Sequence, residues 1–117
     1  MLLAALGEIQ PLRDDARQWL EDPKNEIFAS VASIWELEIK RSAKKLTLKA
    51  ELVPAAEAAG FAFVPVLARH AVEAARLPLH HADPFDRMLV AQAQLEGMSL
   101  LSNDEKIARY QVAVLPA

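Results

Sequence analysis

Short β-prone runs alternate with longer helical segments along this chain, and the alternation limits the folds open to it. Apolar runs at 26–30, 61–66 and 98–102 have the length of strands, whereas the segments between them repeat apolar residues at helical spacing. Parallel neighbouring strands must be joined by a crossover of about a dozen residues or more, which is usually a helix. Strands that alternate with helices along the chain therefore favour a parallel sheet. The sequence therefore predicts a three-layer α/β fold with a short parallel sheet between helices.

Capping residues and helix breakers set the predicted bounds of the elements. The clearest helix has Asp83 as its N-cap, Pro84 in its first turn and Gly97 at its end. The other predicted elements are helices from Pro11 to about Glu21 and at 31–44, 50–59, 68–76 and 104–109, and a last strand at 112–115.

Size and composition limit the class of protein. With 117 residues, of which 53% are hydrophobic, the chain can form one domain, 1–117, around a core of ordinary size. No apolar run approaches the ~20 residues that cross a bilayer, and no secretion signal is recognisable, so we expect no membrane association. The absence of cysteine excludes disulfides and thiolate metal ligands and is compatible with a cytoplasmic location.

The charge of the chain restricts how it could bind nucleic acid. A formal net charge of −3 argues against binding through bulk electrostatics, which needs dense Lys and Arg. The most basic segment, at 40–45, is interpreted as a solvated helix end whose cations face the helix dipole. Any contact with nucleic acid must therefore be local.

Four acidic residues lie where a parallel sheet would bring them to one edge. Glu36 is in the second turn of the helix after the first predicted strand, Asp83 and Asp86 begin a later helix, and Asp104 follows a buried strand. The carboxyl ends of parallel strands open on one crevice, so we expect these acids to meet there. Oxygen ligands without cysteine favour Mg²⁺ or Mn²⁺ over Zn²⁺. Such a site can activate water for phosphodiester hydrolysis.

Each of these acids also has a purely structural interpretation. For Asp83 we favour the N-cap over ligation, and for Asp86 we favour the ligand. Glu36 could pair with Lys40 on the helix surface or lie buried near the site, and Asp104 could cap the helix that follows it. Only the joint placement of the four acids favours a metal site.

The sequence offers few other candidates for chemistry. His80 and His81 precede a helix in a polar loop, where we expect them to face solvent or to hydrogen-bond to ligands, and neither is expected to bind a metal. Trp35 is expected in the core or on a surface that binds a partner.

Three segments resemble motifs of VapC-like PIN domains, in the order and spacing of that family. They are Ser-Val-Ala-Ser-Ile-Trp-Glu at 30–36, His-His-Ala-Asp-Pro-Phe-Asp-Arg at 80–87 and Leu-Ser-Asn-Asp at 101–104. The resemblance implies a magnesium- or manganese-dependent endoribonuclease, the toxin of a toxin–antitoxin pair, with RNA, a cognate antitoxin and a second copy of itself as partners. It also implies catalytic metal ligands at Glu36, Asp86 and Asp104, with Asp83 as a supporting acid at the metal.

The chain departs from the family pattern at its N-terminal side. The family opens with a strand that ends in an Asp-Thr-His-like motif, followed by a helix that Leu2 to Leu6 resemble, and here no acidic residue precedes Glu8. We therefore expect the first, central strand and its aspartate to be missing, which would leave backbone groups of the neighbouring strands unpaired.

This departure leaves two main functional hypotheses. The first is an RNA-cleaving enzyme, and the second is a catalytically impaired PIN-fold protein that only binds an antitoxin. A hydrolase of small phosphate esters is a third interpretation, which the lack of a Gly-rich phosphate loop disfavours.

Overall fold

The computed structural model describes residues 1–6, 22, 24, 26–45 and 51–116. Within these residues the strands are β1 (Leu2–Ala4), β2 (Ile27–Ser30), β3 (Ala62–Val64), β4 (Ser99–Leu101) and β5 (Val114–Leu115). The helices are α1 (Val31–Ser42), α2 (Leu52–Ala58), α3 (Ala68–Arg76) and α4 (Pro84–Glu96), with a 3₁₀ turn at Ile107–Arg109. The strands form one parallel sheet in the order β3-β2-β1-β4-β5. The predicted α/β/α fold is confirmed.

The centre of the sheet is occupied by β1, so the expectation that this strand is missing is wrong. Leu2, Leu3 and Ala4 pair with 27–29 of β2 on one side and with 99–101 of β4 on the other. A central slot needs backbone partners on both sides and apolar side chains on both faces, and these three residues supply them. Residues 2–4 are therefore a strand rather than the helix that the resemblance implied.

The core lies on both faces of this sheet. On one face Leu3 and Leu100, both fully buried, pack with Leu89 and Val90 of α4. On the other face Leu2 and Leu101 belong to a second apolar cluster. Neighbouring residues of β1 thus point to opposite faces, as the pleat of a strand requires, and the strand is buried on each.

The remaining predicted elements are present with small shifts at their ends. The helix predicted at 68–76 is found at those residues, and the strands are one to three residues shorter at one or both ends than the predicted runs. Pro54 is the third residue of α2, in the first turn, where a missing N–H breaks no helical hydrogen bond. The helix predicted from Pro11 to Glu21 lies outside the described residues.

Candidate metal centre

The start of α4 sets the position of two of the predicted acids. Asp83 is the N-cap, and its Oδ1 accepts hydrogen bonds from the backbone N–H of Phe85 (2.8 Å) and of Asp86 (3.4 Å). Pro84 follows at the first helical position, where its fixed φ suits a helix. The capping interpretation of Asp83 is confirmed, and a ligand role for it would have to use its other carboxylate oxygen.

His81 joins Asp86 to Asp104 across the edge of the sheet. Its Nε2 lies 2.9 Å from Oδ2 of Asp86 and 2.9 Å from Oδ2 of Asp104. The side chains of His81 and Asp86 are only 10% and 15% exposed. These three residues form a group whose ligand atoms all lie within 4.8 Å of one another. Acids that are 18 positions apart in the numbering therefore meet at one point, as the topology predicted.

Glu36 lies in a cavity beside this group rather than within it. A cavity of about 130 Å³ is lined by Glu36, Asp83 and Asp86 together with Lys40 and, at the end of β1, Ala5 and Leu6. Oε2 of Glu36 is 3.4 Å from Nζ of Lys40. The structure thus realises both interpretations of Glu36, the i,i+4 pair and the partly buried position next to the other acids.

The pKa of Asp104 is lowered. Burial by itself would raise the pKa of this carboxyl group, but the hydrogen bond with His81 and the bonds from the backbone N–H groups of Lys106 and Ile107 lower it by more. One of these backbone bonds runs from Lys106 N–H to Oδ1 at 2.8 Å. Asp104 is therefore ionised and held in place on both of its oxygens.

A buried tyrosine and an arginine hold the loop at 77–82 that carries His81. The hydroxyl of Tyr110 accepts from the backbone N–H of His80 (3.2 Å) and of His81 (3.0 Å) and donates to the carbonyl of Pro78 (2.7 Å). Arg87 donates to the same carbonyl of Pro78 (3.1 Å) and to that of His81 (3.3 Å). The backbone on both sides of the His81 ring is thereby fixed.

The second nitrogen of Arg87 extends this clamp to the end of α3. It donates to the carbonyls of Ala74 (2.9 Å) and Leu77 (3.0 Å), which the helix end leaves without helical partners. One planar guanidinium thus connects α3, the loop and α4, a geometry that an ammonium group cannot reproduce.

An apolar groove, distinct from the acidic cavity, also lies at the N-terminus of α4. It has a volume of about 440 Å³ and is lined by Val31 and Trp35 of α1, by Val66, and by Phe85 and Met88 of α4. The rings of Trp35 and Phe85 meet edge to face at 5.3 Å. Trp35 is 63% exposed, so it lies on the surface and not in the core.

The basic segment at the end of α1 is partly neutralised by acids of the chain itself. Arg41 contacts the carboxylates of Glu38 and, across to the start of α2, Glu51 at 3.3 Å. Hydrogen bonds with Glu38 and Glu51 raise the pKa of this arginine. The interpretation of this segment as a solvated helix end is compatible with these contacts.

Sequence reasoning anticipated the acids but not the central place of His81. The notion that this histidine hydrogen-bonds to ligands agrees with its contacts, yet nothing in the sequence indicated that it would touch both Asp86 and Asp104. The available signal was its position two residues before an N-cap aspartate, on the loop that precedes the acidic helix start. Such a group of two carboxylates and an imidazole could hold a divalent metal ion.

Comparison with models of protein families identifies the family of this chain. A model of the PIN domain matches residues 1–113. The chain belongs to the PIN-domain family. A search of curated proteins found no match for this PIN domain. In the part of the chain that the structure describes, no helix is long and apolar enough to cross a membrane.

Three of the solved structures that are similar to this PIN domain cover nearly the whole chain. A toxin–antitoxin complex from Klebsiella pneumoniae matches with a TM-score of 0.67 at 18% identity, covering 97% of this chain and 94% of that chain. FitAB bound to the IR36 DNA fragment gives 0.68 at 18% identity, with 99% and 94% covered. FitAcB from Neisseria gonorrhoeae gives 0.65 at 18% identity, with 98% and 96% covered. At this identity the likeness supports the fold.

Proposed function

We propose that this PIN domain is a metal-dependent endoribonuclease that acts as the toxin of a toxin–antitoxin pair. The observation that supports the proposal most is the meeting of Asp86 and Asp104 at His81, next to the cavity that holds Glu36. Carboxylates gathered at the carboxyl edge of a parallel sheet suit a hard divalent cation. The similar toxin–antitoxin complex from Klebsiella pneumoniae supports an antitoxin as protein partner, and a second copy of the chain is a further proposed partner.

The proposed roles follow from the position of each acid. Asp86 and Asp104 would hold Mg²⁺ or Mn²⁺, Glu36 would complete the ligand set from the cavity wall, and Asp83 would support the site mainly by capping α4. Such an ion, when bound, activates water and neutralises charge on the phosphodiester. Lys40, which pairs with Glu36, compensates the charge of that carboxylate in the cavity.

The direct test is cleavage of RNA by the purified protein. End-labelled RNA of mixed sequence is incubated with the protein in Mg²⁺, in Mn²⁺ and in EDTA. We expect internal cleavage with either ion and none in EDTA, and we expect Asp86→Asn to slow cleavage by at least about 100-fold, since it removes a charged ligand. Glu105→Gln is the matched control, because this neighbouring carboxylate is exposed and should leave the rate unchanged. Cleavage that persists in EDTA or in Asp86→Asn would contradict the proposal.

A catalytically impaired protein that only binds an antitoxin is the second candidate, and a specific feature favours it. The residues that β1 brings to the cavity are Ala5 and Leu6, so the central strand contributes no carboxylate. The exposed apolar groove at Trp35 would then be the surface that matters. Calorimetric titration with Mn²⁺ separates the two candidates. Binding at micromolar ion supports the enzyme, and no binding up to millimolar ion supports the impaired protein.

A further inference from the structure

The backbone around His81 determines which ring nitrogen carries hydrogen. The N–H of Asp83 donates to Nδ1 of His81 at 3.2 Å. A backbone amide can only donate, so Nδ1 must present its lone pair. The hydrogen of the neutral ring is therefore on Nε2, the nitrogen that faces both carboxylates.

This hydrogen has two acceptors within reach. Nε2 is hydrogen-bonded to Oδ2 of Asp104 at 2.9 Å and also lies 2.9 Å from Oδ2 of Asp86, so its N–H lies between the two carboxylates. Two carboxylates this close repel each other unless a donor or a cation lies between them. His81 supplies the donor and so fixes the separation and orientation of the two acids.

A role for His81 as a metal ligand conflicts with this arrangement. Ligation through Nε2 needs the lone pair of that nitrogen, so the hydrogen would move to Nδ1 and point at the N–H of Asp83. Metal-binding histidines normally direct the other ring N–H at an acceptor instead. The clamp by Tyr110 and Arg87 fixes the backbone of His81, so a shift of the loop backbone that would relieve this clash is opposed.

We propose that His81 is a positioning residue, which orients Asp86 and Asp104 for a divalent ion through its Nε2–H and is not itself a ligand of that ion. The inference rests on the proposed function in assuming that these acids bind metal. It goes further because it assigns to His81 a role, a tautomer and the residues that hold its backbone.

The tautomer can be measured directly on the wild-type protein. Nitrogen-15 NMR of labelled histidine distinguishes protonated from unprotonated ring nitrogens, and the chain has 3 histidines. We expect His81 to be protonated on Nε2 without metal and to remain so at saturating Mg²⁺. His70 is the internal control, because its Nδ1 also accepts a backbone N–H, from Leu67 at 3.0 Å, while its Nε2 contacts Glu96 rather than the acids of the site.

Two further measurements distinguish positioning from ligation. The spin-echo spectrum of bound Mn²⁺ should show no coupling to imidazole nitrogen. His81→Phe, which removes the donor, should weaken Mg²⁺ binding by about 10-fold to 100-fold, and His81→Gln, which keeps an N–H donor, should recover much of the loss. An unprotonated Nε2 in either state, a nitrogen coupling to Mn²⁺, or a protein that binds neither ion would overturn the inference.

These readouts do not depend on RNA cleavage. If the ion binds with Nε2–H retained but RNA stays intact, the inference holds and the nuclease proposal fails. If RNA is cleaved and His81 becomes a ligand, the nuclease proposal holds and the inference fails.

Discussion

Asp104 shows how single hydrogen bonds decide the state of the acidic site. Its pKa is lower in the folded chain than in the unfolded chain, because hydrogen bonds with His81 and backbone amides outweigh its burial. The folded state therefore favours the ionised carboxylate. This stabilisation is fully present above the unfolded pKa, about 4, and is lost as the pH falls through the lower folded pKa.

We expect this linkage to appear in a comparison of wild type with Asp104→Asn. Without metal, in EDTA, the free energy of unfolding of wild type should lose its advantage over the variant as the pH is lowered from 6 towards 3. Urea denaturation at a series of pH values measures it. An advantage that grows on acidification would contradict the assigned direction.

Arg87 is the residue on which the geometry of the 77–82 loop depends most. Arg87→Lys keeps the charge but cannot reach carbonyls on α3 and on the loop at once, so buried acceptors lose their partners. We expect the free energy of unfolding to fall by about 2 kcal/mol, measured by urea denaturation. Arg69→Lys is the matched control, since Arg69 is 55% exposed and pairs with Glu96 on the surface, and it should cost under about 1 kcal/mol. Equal losses in the two variants would contradict a special role for Arg87.

At the scale of elements, α4 connects the acidic site to the core. Its N-cap and first turn carry Asp83 and Asp86, and its middle, 89–93, is buried. The N-cap therefore matters for the site as well as for the helix, because fraying of this helix end would displace Asp86.

Substitutions at Asp83 separate its cap from any role at the metal. Asp83→Ala should lower the free energy of unfolding by about 1 kcal/mol, and Asp83→Asn, which still accepts from the helix N–H groups, by only a few tenths. Mg²⁺ affinity is measured for both variants by calorimetry. If Asp83→Asn keeps the stability of wild type but binds Mg²⁺ much more weakly, then Asp83 is a ligand as well as a cap.

The elements that the sequence predicted well are those whose signals are local. The caps Asp83 and Gly97 mark both ends of α4, and Gly97 has the left-handed φ of 67° that favours glycine. By contrast, Leu2 to Ala4 show no hydrophobic periodicity and no capping residue. Their strand conformation depends on pairing with β2 on one side and β4 on the other. That information belongs to the assembled sheet and was beyond the reach of a local pattern.

The candidate site divides in the same way. The convergence of Asp86 and Asp104 was predicted from strand topology together with a loop that brings the start of α4 to the same edge. The backbone of His81 is held by the hydroxyl of Tyr110, which lies far along the chain and belongs to no motif that the sequence shows. The ligand roles of Glu36, Asp83, Asp86 and Asp104 stay predictions.

At the scale of the whole molecule, the sheet brings the end of its central strand to the acidic cavity, and the described residues that line the cavity there, Ala5 and Leu6, carry no charge. Ala5, which is 3% exposed, lines that cavity with Glu36 and Asp86. A carboxylate at position 5 would add a metal ligand, because this position follows the central strand and lines the cavity. It would also add repulsion as long as no ion is present.

We therefore expect Ala5→Asp to be less stable than wild type in EDTA and to gain more stability from Mg²⁺. The added charge should raise the Mg²⁺-induced shift in melting temperature above that of wild type, because an ion that binds the folded state stabilises it more when it binds more tightly. Thermal unfolding with and without Mg²⁺ measures this, and Ala5→Asn is the uncharged control. Equal shifts in wild type and Ala5→Asp would show that the cavity does not take the ion.

The position of β1 also bears on how the chain is made. This strand is synthesised well before β4, yet it needs β4 on one side and β2 on the other to satisfy its backbone. On the ribosome, its apolar residues therefore lack one of their final neighbours until β4 has been synthesised, and closure of the sheet is a long-range event. A nascent chain halted before residue 99 would present an open sheet edge, the kind of surface that recruits chaperones or aggregates.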